Sequence, residues 1–137
     1  MKLTSTLKSL ITEAAALDQV VDAVKKRKKI IIYYDGDEPG GKGLREIEPV
    51  CIGRTKKRKN LVVRAWDSEG ASHRGFLGTR PMPGWRLFRL DKILTFKETG
   101  ENFDQPRPNF NFNGDKSLDD IIIIAQFDNN PEEQNLA

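Results

Sequence analysis

The run from Trp85 to Ile93 alternates cations with large apolar residues, and no other stretch is better suited to binding a ligand. Side chains of a strand point to opposite faces in turn, so Arg86 and Lys92 would share one face. Trp85 and Arg89 would share the other face, and each face would hold a cation beside an aromatic ring. Guanidinium groups bind phosphate or carboxylate bidentately, and aromatic faces accept flat groups. The pattern therefore predicts a site for an anion that carries a stackable part.

The charge distribution supports an anionic partner. The 137 residues carry 23 basic and 20 acidic side chains, a modest net charge of +3. Between Lys25 and Lys97, however, 19 basic residues face 8 acidic ones, while the two flanks together hold 4 basic and 12 acidic residues. The middle of the chain is therefore expected to attract phosphates or other anions. The alternative interpretation is a solvated basic surface without a partner.

The elements that must position these residues are one helix and a series of short strands. Apolar residues at three- and four-residue steps predict an amphipathic helix over Ser5–Lys26. From Ile30 onward the apolar period changes to two, which indicates strands separated by turns. The predicted strands are Ile30–Tyr34, Leu44–Ile52, Leu61–Trp66, Trp85–Leu90, Ile93–Lys97 and one within Leu118–Phe127. The sequence thus predicts a mainly β fold with one long N-terminal helix, a small barrel of about five strands, and no helix-turn-helix.

Three segments follow from this organisation. Residues 1–28 form the N-terminal helix, residues 29–100 form the barrel, and residues 101–137 form an extended strap with a C-terminal strand. Phe103, Phe110 and Phe112 punctuate the polar strap. Because three exposed aromatic rings would leave a large apolar area in water, we expect them to anchor the strap to the barrel.

The residue types needed for most chemistry are missing or isolated. Cys51 is the single cysteine and His73 the single histidine, so the sequence offers no disulfide framework, no thiolate metal site and no nucleophile paired with a base. The longest apolar run, Ile121–Ala125, is too short to span a bilayer. We therefore expect a cytoplasmic protein that is not an enzyme, needs no cofactor or metal, and has no membrane partner.

The stretch from Arg107 to Ser117 resembles the tail of standalone phage and bacterial members of the WYL domain family, and four earlier blocks of the sequence resemble the domain itself. They are Ile30-Ile31-Ile32-Tyr33-Tyr34, Arg45-Glu46-Ile47-Glu48-Pro49, Leu61 to Trp66, and Trp85 to Ile93. The resemblance covers roughly Val24 to Lys97 and implies an Sm-like or SH3-like small β-barrel that binds nucleic acid or a small anionic ligand. Such domains often regulate transcription or antiviral systems. The chain departs from the family at the triad that gives the family its name, where Leu61-Val62-Val63 replaces Trp-Tyr-Leu.

The resemblance also implies roles for individual residues. Arg86, Arg89 and Arg45 would be cations that face the ligand, while Tyr34 and Phe88 would be core or stacking groups. Trp66 or Trp85 would replace the lost aromatic part of the pocket.

Strand geometry restricts which of these cations can act together. Arg86 and Arg89 are three residues apart, so a regular strand places them on opposite faces, and both could reach one ligand only at a bulge or at the barrel's rim. Lys92 is the better partner for Arg86 by parity alone, and all three cations stay candidates. Lys57 and Arg58 lie in a basic hairpin tip, which is either a solvated turn or a phosphate clamp.

These observations predict a non-enzymatic binding and regulatory module for single-stranded nucleic acid or a nucleotide-like anion. The alternative is an interaction protein that docks a polymerase subunit or a virion component through exposed strand edges. The oligomeric state, including a homo-oligomer, stays open.

Overall fold

The computed structural model describes residues 2–36, 42–68 and 84–127 of the chain, with side chains from Ala14 onward. Within these residues there is one α-helix, α1 (Lys2–Lys26), as the periodicity predicts. Two lysines in its last turn suit the negative end of the helix dipole. Arg27 then adopts a left-handed conformation with φ of 54°, which ends the helix and directs the chain into the sheet.

Six strands follow, and all of their pairings are antiparallel. Their bounds are β1 (Lys28–Asp35), β2 (Lys42–Thr55), β3 (Leu61–Asp67), β4 (Gly84–Arg89), β5 (Ile93–Asn102) and β6 (Leu118–Ile124). Their order in the sheet is β4-β3-β2-β1-β5, with β6 beside β2. A mainly β fold with one helix is therefore confirmed for the described residues.

The long strand β2 organises the sheet. Its first half, up to Ile47, pairs with β1, and its second half, from Cys51 to Thr55, pairs with β6 along the same edge. Its opposite edge pairs with β3. One strand of 14 residues therefore holds three neighbours in place.

The predicted closed barrel is not confirmed, because the sheet is open. In the described ranges no pairing joins β4 to β5, although the two strands are adjacent in sequence. A 3-10 turn, Leu90–Lys92, separates them and redirects the chain, so that β4 pairs with β3 while β5 pairs with β1.

One apolar core joins the helix and the sheet. Val20, Ala23 and Val24 of α1 are fully buried and belong to the same cluster as Ile30 and Ile32 of β1. The helix lies against β5, the 3-10 turn and β2. Such a core holds the strands in register, because a slip by one residue would turn the apolar side chains of a strand toward water.

The segment from Phe103 to Ser117, which we call the strap, returns across the sheet from the end of β5 to the start of β6. Phe103 is buried, and its ring centroid lies 6.0 Å from that of Phe127. Phe110 and Phe112 are half-buried, pack against the core and contact each other with ring centroids 4.8 Å apart. The expectation that these three aromatic residues anchor the strap is confirmed. Residues 128–137, which the third predicted segment includes, lie outside the described residues.

Candidate functional site

Five side chains from four strands share the face of the sheet that also carries the core. Arg45 of β2 pairs with the core residue Ile32, and Arg86 of β4 pairs with the core residue Ala65. Directly paired residues of an antiparallel sheet point to the same side, so both arginines face inward. We call this set the inner-face cluster: Tyr34, Arg45, Asp67, Arg86 and Phe88.

A buried ion pair lies at the centre of the inner-face cluster. The Arg45 Nη1 donates to Asp67 Oδ2 over 3.1 Å, and the side chains are only 5% and 0% exposed. The Arg45 guanidinium also lies 6.0 Å from the ring centroid of Tyr34 and 5.6 Å from that of Phe88. Aromatic faces and a carboxylate thus fix the position of one cation in a dry environment.

Tyr34 connects β1 to the end of β4. Its hydroxyl oxygen accepts a hydrogen bond of 3.0 Å from the backbone N–H of Arg89. Its ring meets Phe88 edge to face at 4.9 Å. Burial disfavours the phenolate and raises the pKa of Tyr34 above its ordinary value, so the hydroxyl stays protonated near neutral pH. Tyr34 is therefore a wall of the cluster whose polar end is occupied by the backbone.

Arg86 is the second cation of the inner-face cluster and is half-buried. Its Nη1 donates to the backbone carbonyl of Trp85 over 3.1 Å. The guanidinium lies directly against Gly84, where a β-carbon would come within 2.9 Å of Nη1. The glycine thus leaves the space that this guanidinium occupies near the start of β4.

Arg89 lies on the opposite face from Arg86, as strand parity predicts, because it pairs with Val62 rather than Ala65. Its guanidinium forms a bidentate ion pair with Asp91, over 3.0 Å from Nε and 2.6 Å from Nη2. Arg89 and Asp91 are both substantially exposed. The structure therefore does not bring Arg86 and Arg89 together.

The parity argument that joins Lys92 to Arg86 is wrong. Lys92 lies in the 3-10 turn, where the backbone N–H of Ile93 returns to the carbonyl of Leu90. The two-residue alternation ends at Arg89, so Lys92 has no strand face to share.

Trp85 lies on the outer face, beneath the strap. Its indole Nε1 donates to the carbonyl oxygen of Pro108 over 2.8 Å, and its ring stacks on Phe110 with centroids 6.4 Å apart. Trp66 meets it edge to face at 5.4 Å. Trp66 and Trp85, the two alternatives for the family's pocket aromatics, therefore both lie on the outer face, where Trp85 holds the strap on the sheet, and neither joins the inner-face cluster.

A second pair of charges fastens the strap to β2. Glu48 is 1% exposed and accepts two hydrogen bonds from Arg107, 3.0 Å from Nε and 2.7 Å from Nη2. The Lys29 ammonium lies 3.8 Å from the same carboxylate, and the Arg107 guanidinium lies 5.5 Å from the Trp66 ring centroid. The hydrogen bonds to Glu48 raise the pKa of Arg107. This bidentate pair holds the strap on strand β2.

A cavity of about 230 Å³ lies between the strap and the outer face of the sheet. Cys51 lies at its base, and Arg64 reaches across it to form an ion pair with Asp115 of the strap. Burial raises the pKa of the Cys51 thiol to about 11. Burial would also raise the pKa of Asp115, but hydrogen bonds from Arg64 and Ser117 outweigh it and lower that pKa. The full lining is Val50, Cys51, Arg64, Trp85, Asn109, Phe110, Asn111, Gly114, Asp115 and Lys116.

Lys57 and Arg58 are exposed at the turn between β2 and β3, far along the sheet from the cluster. The turn is closed by its own hydrogen bonds, Lys59 N–H to the Thr55 carbonyl over 3.0 Å and Asn60 N–H to Thr55 Oγ1 over 3.0 Å. These two cations are therefore presented to solvent by a hydrogen-bonded turn.

Two acids that matter to the site were missed by the sequence reasoning. Asp67 continues the alternation of Leu61, Val63 and Ala65, so its inward direction could have been predicted from parity. Glu48 gives no comparable signal, because its partner Arg107 lies 59 residues away in a segment without periodicity.

Within the described ranges, no three histidine, cysteine, aspartate or glutamate side chains converge as metal ligands. His73 lies outside the described residues, and so does the acidic segment 37–41. No helix in the described part of the chain has both the length and the apolar character of a transmembrane span.

The solved structure of proteasome accessory factor B/C (PafBC) of Arthrobacter aurescens is similar to this chain. The TM-score is 0.51 and the sequence identity 25%, over 72% of this chain and 13% of PafBC. PafBC contains a WYL domain, so the similarity supports a WYL-like fold. No protein-family model and no curated protein matches the chain.

Proposed function

We propose that this chain is a non-catalytic regulatory module of the WYL type, with an SH3-like strand order, that acts in the cytoplasm. It binds the phosphate of single-stranded nucleic acid or of a nucleotide-like ligand at the Arg86 side of the inner-face cluster. The single observation that carries the proposal is the register that places Arg45 and Arg86 on one face with Tyr34 and Phe88. The similarity to PafBC, a transcription regulator, is consistent with it.

The chemistry of the cluster suits an anion. Its five side chains include two guanidinium groups and one carboxylate, so together they carry one net positive charge. Arg45 is held by Asp67 and acts as a fixed positive wall, while Arg86 is half-buried near the start of β4. A guanidinium binds phosphate with two parallel N–H donors, which Arg86 would supply to the ligand.

The surrounding surface would aid the encounter with a nucleic acid. Lys57 and Arg58 are exposed at the hairpin tip and add to the positive field of the central segment. Flexible exposed charges mainly raise the association rate, whereas fixed charges near a desolvated surface determine the dissociation rate.

The experiment that tests this proposal is fluorescence anisotropy with a labelled single-stranded oligonucleotide across a salt series. Arg86→Ala should weaken binding and reduce the salt slope by about one phosphate contact. Arg86→Lys should restore part of the affinity, since it keeps the charge but not the bidentate geometry. Arg89→Ala is the matched control and should bind within about twofold of the unaltered protein, because its ion pair with Asp91 is on the other face. Absence of binding at low salt, or undiminished binding by Arg86→Ala, would refute the proposal.

Exposed apolar residues favour a second candidate function, the docking of another protein such as a polymerase subunit or a virion component. Leu44 is 60% exposed, Leu94 49% and Ile122 48%. Protein docking through such residues depends little on salt, unlike phosphate binding. A partner that stays bound at high salt and is lost with Leu44→Asp would support this second function.

A further inference from the structure

The cavity under the strap combines two aromatic side chains with a side-chain amide, a combination that the anion site on the other face does not explain. It is bounded by Trp85 of β4 and Phe110 of the strap, with Cys51 at its base. Pairing of Trp66 with Trp85, and of Ala65 with Arg86, puts the cavity and the inner-face cluster on opposite sides of the sheet. The two sites can therefore be tested independently.

The volume limits the size of what can enter. Pockets that hold drug-sized ligands run from about 300 Å³ upward, and this cavity holds about 230 Å³. A molecule of one ring or two fused rings matches that space. Trp85 and Phe110 are half-buried and stacked on each other, and as lining residues they give such a ring aromatic neighbours.

Among the polar lining residues, the amide of Asn111 favours a hydrogen-bond acceptor on the ligand. The Asn111 side-chain oxygen is already engaged, because it accepts from the backbone N–H of Asn113 over 3.0 Å. This bond fixes the amide, whose remaining polar group is the NH₂ donor. A ring nitrogen or ring carbonyl is the complementary group.

The charges of the lining favour a neutral ligand. Arg64 and Asp115 neutralise each other across the cavity through their ion pair. Lys116 is exposed at the rim. A ligand without charge therefore enters with little electrostatic cost, whereas a second carboxylate would compete with Asp115 for Arg64.

We propose that the cavity beneath the strap binds a small, neutral heteroaromatic molecule, which packs against Trp85 and Phe110 and accepts a hydrogen bond from the amide of Asn111. This site is separate from the anion site proposed above and does not depend on it.

Fluorescence titration tests the proposal directly. The chain has two tryptophans, so in the Trp66→Phe variant Trp85 is the only indole and reports on its own surroundings. The probes are adenine, uracil and nicotinamide, with benzene as an aromatic molecule that has no acceptor. The three heterocycles should quench Trp85 in a saturable way, and benzene should bind at least tenfold more weakly.

Variants of the strap separate binding from folding. Phe110→Leu keeps an apolar side chain but removes the aromatic face, and it should weaken binding roughly tenfold. Phe112→Leu is the matched control, since Phe112 packs on Phe110 but does not line the cavity, and it should leave binding unchanged. Asn111→Asp and Asn111→Ser both keep an oxygen for the turn and lose the NH₂ donor, so both should weaken the heterocycles and not benzene.

The single thiol gives a second, independent readout. Alkylation of Cys51 by N-ethylmaleimide at mildly alkaline pH, followed by mass spectrometry of the intact chain, should slow when a heterocycle occupies the cavity. Both readouts report on the cavity, whereas the anion site is measured by oligonucleotide anisotropy, so a failure of the anion site cannot be mistaken for a failure of this one. Lack of saturable quenching at millimolar concentrations, or equal binding of benzene and the heterocycles, would overturn the proposal.

Discussion

Removal of Arg107 should destabilise the protein more than neutralisation of its partner Glu48. Glu48 is 1% exposed and receives both of its short hydrogen bonds from Arg107, so Arg107→Ala leaves a buried carboxylate. Breaking a buried pair from one side costs about 3–5 kcal/mol. The Lys29 ammonium 3.8 Å away compensates part of that cost, and Arg107 is itself 41% exposed. We therefore expect a loss near the lower end, about 3 kcal/mol.

Neutralisation of Glu48 should cost less stability than removal of Arg107. Glu48→Gln leaves Arg107 free to turn toward water, and an amide in the same position needs no cation, so a loss of about 1 kcal/mol is expected. In the double variant the buried charge is gone, and the total loss should be about 2 kcal/mol rather than the sum of the two single losses.

Urea unfolding followed by circular dichroism measures these differences, and thermal unfolding should show the Arg107→Ala midpoint roughly 10 °C lower. Lys57→Ala, in the exposed hairpin tip, is the surface control. Equal losses for Arg107→Ala and Glu48→Gln, or strictly additive losses in the double variant, would refute the reasoning that the buried carboxylate dominates.

Three further outcomes follow from the packing and the pKa shifts. Asp115 has a lowered pKa when folded, so its contribution to stability is present above the unfolded value of about 3.9 and is lost as the pH falls through the folded value. In urea unfolding, the free energy of unfolding should therefore fall less between pH 7 and pH 3 for Asp115→Asn than for the unaltered protein. Phe103→Ala should cost about 3 kcal/mol in the same assay, since the ring is buried against Phe127. Because the pKa of Cys51 is raised to about 11, its rate of alkylation should still be rising with pH at pH 10, unlike that of an exposed thiol.

The sequence predicted the elements whose signals are local. The helix and the strands carry periodicities of 3.6 and 2 within a few residues, and the structure contains all of them. Parity also separated Arg86 from Arg89 correctly. Parity failed at Lys92, because the 3-10 turn Leu90–Lys92 interrupts the two-residue alternation. The composition of these three residues is not typical of a turn.

The arrangement of the site was harder to predict. Whether the sheet closes depends on the twist and on the ends of β4 and β5, which no single residue encodes. The role of Trp85 depends on Pro108 and Phe110, more than twenty residues along the chain in a segment without periodicity. Only Asp67 could have been added to the cluster from strand parity alone.

The division of one edge of β2 between β1 and β6 has a consequence for synthesis on the ribosome. Leu118 follows Thr55 by 63 residues, so at about 5–20 residues per second the second half of that edge waits roughly 3 to 13 s for its partner. During this interval an apolar strand edge lacks its final neighbour, and such edges recruit other nascent chains. A nascent chain that stalls before β6 is made therefore leaves the Cys51–Thr55 edge of β2 unpaired, and synthesis of β6 is the step that covers it.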